Sequence, residues 1–579
     1  MILDGPIAFG FVFARNSMFR QIAIGCLGAV CGLLLAAGVA GAQTTRYLDS
    51  SGGDDTAAIN DLINLSAAGD TVFLNAGTFN ISQSIIAKTG VRLVGAGVGS
   101  TAVSYTGAAQ AMIAMHDRSQ VEIAELTLNG NGQATHGIWA TNGSGHQIYN
   151  SAIQNIAANG HGVHFSINVT DSRIDNNQFT NIGYDSEWGA GIRLSHGSSR
   201  NQITGNAISQ AGRGGIFGND GSTDLVIRNN TVTGSFSTVG DNLGIEIWHN
   251  CHRTIIENNT LDHWLSVDRS NLIAVRNNTV NGGFIGLELA GGADNVYVGN
   301  TVNAGTQLGI SASGASAKER VLFSHNSIDG ALSWGVQIQP DMTDGVNQLY
   351  FYNNSITNTK YNDPNSQYSG GDGFRFNVNT DPLDVQNVVL DSNTISGNAW
   401  HGVQNGDWTD KLSLINNTFA NNGGQAITSN PAGYQFGSDL RSTGNIASGN
   451  GSNVIPDSKG SFFAPANMPA IQITTNGTLV VGSEISFSFD YVGAANKAQA
   501  LWDLGAGIPL TSFDATYTYQ QAGNYRIGLV VWDEQGRGVY REQWLTISAV
   551  PEPGSLILML STIGFSAMHR RRRRPSQPK

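Results

Sequence analysis

The sequence predicts an all-β protein, a right-handed parallel β-helix (a solenoid) followed by a small immunoglobulin-like β-sandwich. A short Asn-containing segment recurs between about residues 120 and 450, and a glycine that opens an alternating apolar stretch precedes it. Charged residues are only 13% of the 579 residues, while glycine contributes 73. Such a composition is typical of turn-rich β structure.

The recurring segment places apolar residues before an asparagine that is followed by Thr or Ser. Six copies are LVIRNNTV (225–232), TIIENNTL (254–261), IAVRNNTV (273–280), LYFYNNSI (349–356), VVLDSNTI (388–395) and LSLINNTF (412–419). In five coils the opening glycine precedes the asparagine by 15 residues: Gly162 and Asn177, Gly191 and Asn206, Gly215 and Asn230, Gly244 and Asn259, Gly402 and Asn417. The register within a coil is therefore constant, and length varies in the turns.

A unit of two or three very short strands cannot close its own core, so it must stack on copies of itself. Parallel stacking at about 4.8 Å per coil places equivalent residues in columns. Apolar columns point inward, and one asparagine per coil is expected to form a ladder of side-chain amides. An antiparallel propeller is disfavoured because it needs about 40 residues per blade.

The start of this domain has its own signals. Residues 54–70 predict an Asp-capped amphipathic helix, apolar at Ile59, Leu62, Ile63 and Leu65, that covers the first coil. The segments GDTVFLNAGTFNI (69–81) and GVRLVGAG (90–97) that follow resemble the opening of pectate-lyase-like β-helix proteins. The resemblance implies the fold for about residues 47 to 450, in a superfamily of lyases, hydrolases, epimerases and non-enzymes.

A second domain begins near Met468, where the Asn pattern stops. Its segments ALWDLGAG (500–507) and ATYTYQQAGNYRIGLVVWDEQG (515–536) resemble a PKD-type domain. The matching positions are Trp502, Asp503, Gly505, Gly507, Tyr519, Gly523 and Tyr525. Ala506 stands where an Asp is common in such domains. The resemblance implies a spacer or adhesive unit at 468–549, after a β-helix domain at 43–467.

Both ends are expected to be targeting segments. The apolar run before Ala40-Gly41-Ala42 predicts a secretory signal peptide over 1–42. Residues 550–579 join Pro551-Glu552-Pro553 to a short apolar run and an arginine block, and this order resembles a PEP-CTERM sorting signal. The resemblance implies processing by an exosortase-type enzyme in a Gram-negative bacterium. We therefore expect a secreted or cell-surface protein of the extracellular matrix, with transient membrane association through this C-terminal segment.

Charge and cysteine content narrow the partners. The formal net charge of −12 argues against a nucleic-acid partner. Only Cys251 remains after the predicted signal peptide, so no intrachain disulfide is expected. No Cys/His spacing predicts zinc, and no cofactor is expected, although acidic clusters on this fold can bind Ca²⁺.

The candidate catalytic residues come from an outward column with one residue per coil. We align its members as Trp139, His164, Arg193, Phe217, Glu246, Glu288, Ser311, Gln337, Arg375 and Gln404. The coil between Glu246 and Glu288 is the shortest, and its alignment places Asp268 level with His249. Glu246, Asp268 and Glu288 are then expected to line one flank in successive coils. Crowded carboxylates raise one pKa and supply the proton donor that glycoside hydrolysis needs.

The candidate binding residues flank these carboxylates. Trp188 and Trp248 are placed to stack on sugar faces, while Arg193 and Arg375 are suited to uronate or sulfate groups. His164 is a further candidate for substrate binding. The leading hypothesis is a surface-associated enzyme that hydrolyses a polysaccharide. One alternative is a polysaccharide lyase that acts on a uronate glycan, with Arg193, His164 or His249 as base. Another is a non-catalytic matrix protein that binds glycan.

Overall fold

In the computed structural model, the described residues are 42–550 except 109, 185, 235–241, 341–344, 362–369, 377–384, 406–408 and 430–436. The predicted signal peptide up to residue 41 and the predicted sorting signal from residue 551 lie outside them. Most of the described chain is a parallel β-helix of three sheets, which confirms the predicted fold class. No helix in the described ranges has the length and apolar character needed to cross a membrane.

Each coil visits three sheets in turn, and every strand pair between coils is parallel. Sheet 1 contains, in order, Ile85–Ile86, Ala111–His116, His136–Thr141, His161–Ile167, Ala190–Leu194, Gly214–Asn219, Leu243–Trp248, Leu265–Asp268, Gly283–Leu289, Thr306–Gly314, Trp334–Pro340, Phe374–Phe376, Val403–Asn405 and Ile427–Ser429.

Sheet 2 contains Thr45–Leu48, Thr71–Leu74, Arg92–Gly95, Glu122–Ala124, Gln147–Tyr149, Arg173–Asp175, Gln202–Thr204, Val226–Arg228, Ile255–Glu257, Ala274–Arg276, Gly292–Ala293, Val296–Val298, Lys318–Ser324, Val346–Tyr352, Val385–Gln386, Val389–Asp391, Thr409–Asp410, Leu412–Ile415 and Leu440–Thr443. Sheet 3 contains Gly77–Ile81, Thr101–Tyr105, Thr127–Asn129, Ala152–Ile156, Gln178–Ile182, Ala207–Ala211, Thr231–Thr233, Thr260–Leu261, Thr279–Val280, Thr301–Val302, Ser327–Asp329, Ser355–Thr357, Thr394–Ser396, Thr418–Ala420 and Ile446–Ser448.

The predicted N-terminal helix spans Thr56–Leu65. It begins where the Asp54 carboxylate accepts a hydrogen bond from the backbone N–H of Thr56 at 2.9 Å. Ile59 and Ile63 are buried in the core of the first coils. Leu65, which the pattern placed on the same face, is 70% exposed because the helix ends there.

The core of the β-helix is made of apolar columns in register. In sheet 1, Ile138, Val163, Ile192, Ile216 and Ile245 follow one another from strand to strand, and all are fully buried. Period-two alternation puts these residues inside and the residues between them outside. The outward column of sheet 1 is a direct consequence of this pattern.

The predicted asparagine ladder runs beside this core. Asn206 donates its amide to Asn230 Oδ1 at 3.0 Å, and the backbone N–H of Asn206 donates to the same oxygen at 3.0 Å. The unit repeats along the buried members Asn177, Asn206, Asn230, Asn259, Asn278, Asn300, Asn326, Asn354, Asn393 and Asn417. Buried turn backbone is thus satisfied by one residue type in every coil.

The C-terminal domain has two three-stranded antiparallel sheets. One contains Ala470–Gly477, Glu484–Val492 and Ala515–Thr518, and the other contains Lys497–Asp503, Gly523–Asp533 and Gly538–Ile547. A short 3₁₀ helix, Pro465–Asn467, precedes it. Leu501, Val530, Trp532 and Tyr540 of this domain form a buried apolar cluster with residues of sheet 2 that include Val296, Leu322 and Tyr350. The domain therefore packs against sheet 2, on another side of the coil from sheet 1.

Candidate functional site

The outward column of sheet 1 follows the predicted alignment, with one residue added. The register runs Trp139, His164, Arg193, Phe217, Glu246, Ser266, Glu288, Ser311, Gln337, Arg375 and Gln404. Ser266 occupies the coil between the two glutamates. Its side chain is small and buried, and it lies between the strands of the two glutamates.

Glu288 carries the most perturbed carboxyl group of this face. Its Oε2 accepts a hydrogen bond from Ser266 Oγ at 2.6 Å. The pKa of Glu288 is raised to about 7, mainly by burial and to a smaller extent by the negative charges of Asp268 and Glu246, while the Ser266 hydrogen bond opposes the rise. A carboxyl group that is partly protonated near neutral pH is suited to donate a proton.

Glu246 lies two strands away and has a different environment. Arg213 Nη2 lies 3.2 Å from its Oε1, and both side chains are largely buried. The guanidinium carbon of Arg213 also lies 5.4 Å from the ring centroid of Trp188. Glu246 thus faces a cation, whereas Glu288 faces a hydroxyl group. Two carboxyl groups in unlike surroundings are the usual arrangement of an acid and base pair.

The spacing of the two glutamates can be compared with the geometry of glycoside hydrolysis. Two strand steps of about 4.8 Å place their Cα atoms roughly 10 Å apart. Inverting glycosidases hold their carboxyl groups about 6.5–9.5 Å apart, and retaining ones about 5–5.5 Å apart. The register therefore favours the wider arrangement, in which a water molecule fits between base and substrate.

The predicted position of Asp268 is wrong by one residue. Asp268 pairs with Trp248 and not with His249, because the Glu246 and Ser266 pairing determines the register of this short coil. Asp268 therefore lies in the neighbouring outward column. Arg269 contacts its Oδ2 through Nε at 2.9 Å and Nη2 at 2.8 Å. The negative charge of Asp268 contributes to the raised pKa of Glu288, but Asp268 does not lie in the column of the two glutamates.

His249 and Trp248 lie at the end of the same strand. His249 has a positive φ of 63° in the turn, and its Nδ1 lies 3.2 Å from Asp220 Oδ1. The guanidinium carbon of Arg269 lies 5.6 Å from the Trp248 ring centroid. Both residues thus border the acidic cluster, which we define as Glu246, Asp268 and Glu288. The His249 ring nitrogen is therefore oriented toward Asp220 and not toward the acidic cluster.

Trp188 and Arg193 form the boundary on the N-terminal side. Trp188 is 48% exposed, and the guanidinium carbon of Arg193 lies 5.9 Å from its ring centroid. Arg193 Nε donates to Asn219 Oδ1 at 3.3 Å. Two guanidinium groups, those of Arg193 and Arg213, therefore lie 5.9 and 5.4 Å from the Trp188 ring centroid. The sequence predicts Arg193 at this edge but not Arg213. Arg213 lies in the turn before the strand Gly214–Asn219 and so is not part of the outward column.

Two predicted binding residues lie farther away. His164 is three strands from Glu246, roughly 14 Å along the column, and its Nε2 lies 3.2 Å from Ser195 Oγ. Burial lowers the pKa of His164 to about 2. Arg375 is three strands beyond Glu288, 3.2 Å from Asp372 Oδ2, and its guanidinium carbon lies 5.0 Å from the Trp334 ring centroid. The fold does not bring these two residues to the acidic cluster.

Calcium binding stays a prediction. Within the described ranges, no three His, Cys, Asp or Glu side chains are grouped as metal ligands. Asp268 and Glu246 both face arginine side chains.

Comparisons with known proteins concern both domains. The family model described as a right handed beta helix region matches residues 72–261 and 243–436, and the PKD domain model matches residues 466–547. The A-module of mannuronan C-5 epimerase AlgE6 from Azotobacter vinelandii is 17% identical, covering 68% of this chain and 95% of that one, with a TM-score of 0.37. The surface adhesin PfbA of Streptococcus pneumoniae is 13% identical, covering 67% and 93%, with a TM-score of 0.37.

One curated relative matches a short part of the chain. Polycystin-1 of Homo sapiens is 28% identical over 112 residues, which is 19% of this chain. The match spans only 2% of the length of polycystin-1.

Proposed function

The chain belongs to the family of proteins with a right-handed β-helix region, and on that premise we propose that it is an exported, surface-associated enzyme that hydrolyses a polysaccharide along sheet 1. The observation that carries the proposal is the pair of unlike glutamates in one outward column. Glu288 is buried beside Ser266 and has a pKa of about 7, while Glu246 lies beside Arg213.

The proposed reaction is an inverting hydrolysis. Glu288 donates its carboxyl proton to the glycosidic oxygen as the bond from that oxygen to the anomeric carbon breaks. Glu246 removes a proton from a water molecule, whose oxygen forms the new bond to the anomeric carbon. After one turnover Glu288 is deprotonated and Glu246 is protonated. Proton exchange with solvent must therefore restore both residues before the next turnover.

An extended substrate is favoured over a small one by the shape of the face. The column continues for several coils on either side of the acidic cluster, and it carries aromatic and polar side chains. A linear polymer can contact many coils at once, whereas a small molecule contacts one or two. The Arg193, Arg213 and Trp188 edge suits a sugar that carries a carboxylate or sulfate group.

The lyase alternative needs a base beside a neutralised uronate. His164, one of the predicted bases, has a pKa of about 2, so it is neutral at pH 7 but a weak acceptor of protons. His164 is therefore a poor candidate for that base. In the non-catalytic alternative, the same face binds glycan but does not cleave it.

A product assay tests the proposal. The full mature chain is incubated with a panel of neutral and uronate polysaccharides, and reducing ends, ultraviolet absorbance of unsaturated uronates and retention on immobilised polymer are measured. New reducing ends without that absorbance are expected. Both signals together would identify a lyase, and retention without either would identify a glycan-binding protein. Glu246→Gln and Glu288→Gln should each lower the rate, with Glu319→Gln on sheet 2 as the matched control.

A further inference from the structure

A second cluster of aromatic side chains lies on sheet 1, toward the N-terminal end of the column. Trp139 and His164 are adjacent in the column, with ring planes 7° apart and centroids 6.3 Å apart. His136 and His161 are adjacent in the parallel column three residues earlier, and their rings stack at 5.2 Å. His116 meets the Trp139 ring edge-on at 4.9 Å. The proposed hydrolysis uses none of these rings.

A groove opens beside this cluster because the side chains shorten abruptly by one coil. Trp139 is aligned with Ala114, and His136 with Ala111. The drop from large rings to methyl groups leaves an open groove of about 680 Å³. Its walls include Ser84, Gln110, His116, His136, Trp139 and Asn159. We call it the N-terminal groove.

The N-terminal groove is lined mainly by uncharged side chains. None of its lining residues is Asp, Glu, Lys or Arg. Burial lowers the pKa of His136 to about 4, with smaller effects in the same direction from Arg193 and His116. Its lining therefore offers aromatic rings, amides and hydroxyl groups, the combination that recognises uncharged polyols through stacking and hydrogen bonds.

A hydrogen bond links the wall of the groove to the N-terminal boundary of the candidate site. Asn159, one of its wall residues, accepts a hydrogen bond from the backbone N–H of Trp188 at 3.3 Å, and Trp188 borders the acidic cluster. Trp139 is four strand steps from Glu246 and six from Glu288, roughly 19 and 29 Å on a spacing of about 4.8 Å. One extended polymer chain can therefore contact both places at once.

We propose that the N-terminal groove is a distal subsite that binds uncharged sugar units of the polysaccharide through Trp139 and His136. The proposal rests on the function proposed above for the choice of ligand, but it does not require cleavage. It adds a division of the face into an uncharged binding region in the first coils and a charged region around Glu246 and Glu288.

The test measures binding and cleavage separately with two variants of the full mature chain. Trp139→Ala removes the ring, and Ala114→Trp fills the groove without removing an existing ring. Trp544→Ala, a change at a 63% exposed tryptophan of the C-terminal domain, is the matched control. The probes are neutral polysaccharides in affinity electrophoresis, and circular dichroism checks that each variant is folded.

Both groove variants are expected to raise the Kd for a neutral polymer about tenfold, while the control leaves it unchanged. In a cleavage assay they should raise KM for long chains and leave kcat and KM for short oligosaccharides unchanged. If no substrate is cleaved but binding still depends on Trp139, the subsite stands and the hydrolase does not. If both groove variants are folded and bind every neutral polymer as the unchanged chain does, the subsite is overturned, whatever the enzyme cleaves.

Discussion

Arg276 and Asp503 join the two domains through a buried ion pair. The Arg276 Nε and Nη2 atoms lie 2.9 and 2.5 Å from Asp503 Oδ1, and Nη1 donates to the Gly507 carbonyl oxygen at 2.6 Å. Arg276 belongs to a strand of sheet 2, and Asp503 ends a strand of the PKD domain. The turn that resembles other PKD domains is therefore used here to bind the β-helix. The resemblance to PKD domains predicts a spacer, but here the PKD domain packs against the β-helix through a buried ion pair.

Removing one partner of this pair should weaken the domain interface. Arg276→Ala leaves the Asp503 carboxylate buried without its cation, and a broken buried pair typically costs about 3–5 kcal/mol. We expect a lower free energy of unfolding in urea, with earlier protease cleavage between the domains. The control is Arg200→Ala, which breaks the exposed pair with Asp171 and should change the free energy of unfolding much less. Equal losses in the two variants would contradict the role assigned to the interface.

The pH dependence of cleavage should follow Glu288. A general acid works in its protonated form, so the rate should fall as pH rises through about 7, the pKa of Glu288. Glu288→Gln cannot donate the proton and should lower kcat about 10²–10⁴-fold, the usual contribution of general acid catalysis. The measurement is the rate against pH for the unchanged chain and for Glu319→Gln. A rate that stays constant from pH 6 to about 8 would exclude Glu288 as the acid.

Ser266→Ala should shift the high-pH decline of the cleavage rate to higher pH. The Ser266 hydroxyl donates to Glu288, and this bond favours the charged form of the carboxyl group. Its loss should raise the pKa of Glu288, so activity should persist to higher pH while the rate at low pH changes little. Ser311→Ala, the next position of the column beyond Glu288, is the control. A shift to lower pH would show that the bond favours the protonated form instead.

Stability should also depend on the ionisation of Glu288. The pKa of this group is raised from 4.5 to about 7 on folding, so its contribution is fully present below pH 4.5 and is lost as pH rises through 7. The full difference is roughly 3 kcal/mol at 1.36 kcal/mol for each pH unit. Glu288→Gln should remove this part of the dependence, which Tm measured across that range would detect. An unchanged slope of Tm with pH would mean that the carboxyl group is more hydrated than its burial indicates.

The sequence predicts the column but not its chemistry in full. Period-two alternation and the constant glycine-to-asparagine distance are local properties, so the order from Trp139 to Gln404 can be derived from them. The coil that contains Ser266 and Asp268 lacks the opening glycine, so nothing local determines its register. Arg213 reaches Glu246 from a different coil. Such a contact depends on turn conformation, which alternation does not encode.

Local sequence patterns do not predict the domain interface either. Arg276 and Asp503 are 227 residues apart in the chain. Each occurs in a segment whose pattern already has a local explanation, a repeat strand for one and a PKD turn for the other. The packing of the C-terminal domain against sheet 2, through residues such as Trp532 and Tyr540, brings the charges together.

The asparagine ladder gives a last prediction, which concerns the stability of the β-helix. Asn278 is buried, its backbone N–H and its amide both donate to Asn300 Oδ1, and its own Oδ1 accepts two hydrogen bonds from Asn259. Asn278→Ala leaves the Asn259 donors without this acceptor in a dry interior, where each unsatisfied group costs about 1–3 kcal/mol. We therefore expect a loss of about 2–4 kcal/mol in the free energy of unfolding, measured with urea. Asn303→Ala is the control, since Asn303 donates to Asn281 on the exposed side and its loss should cost little. Similar losses in both variants would show that the ladder contributes no more than a surface amide pair.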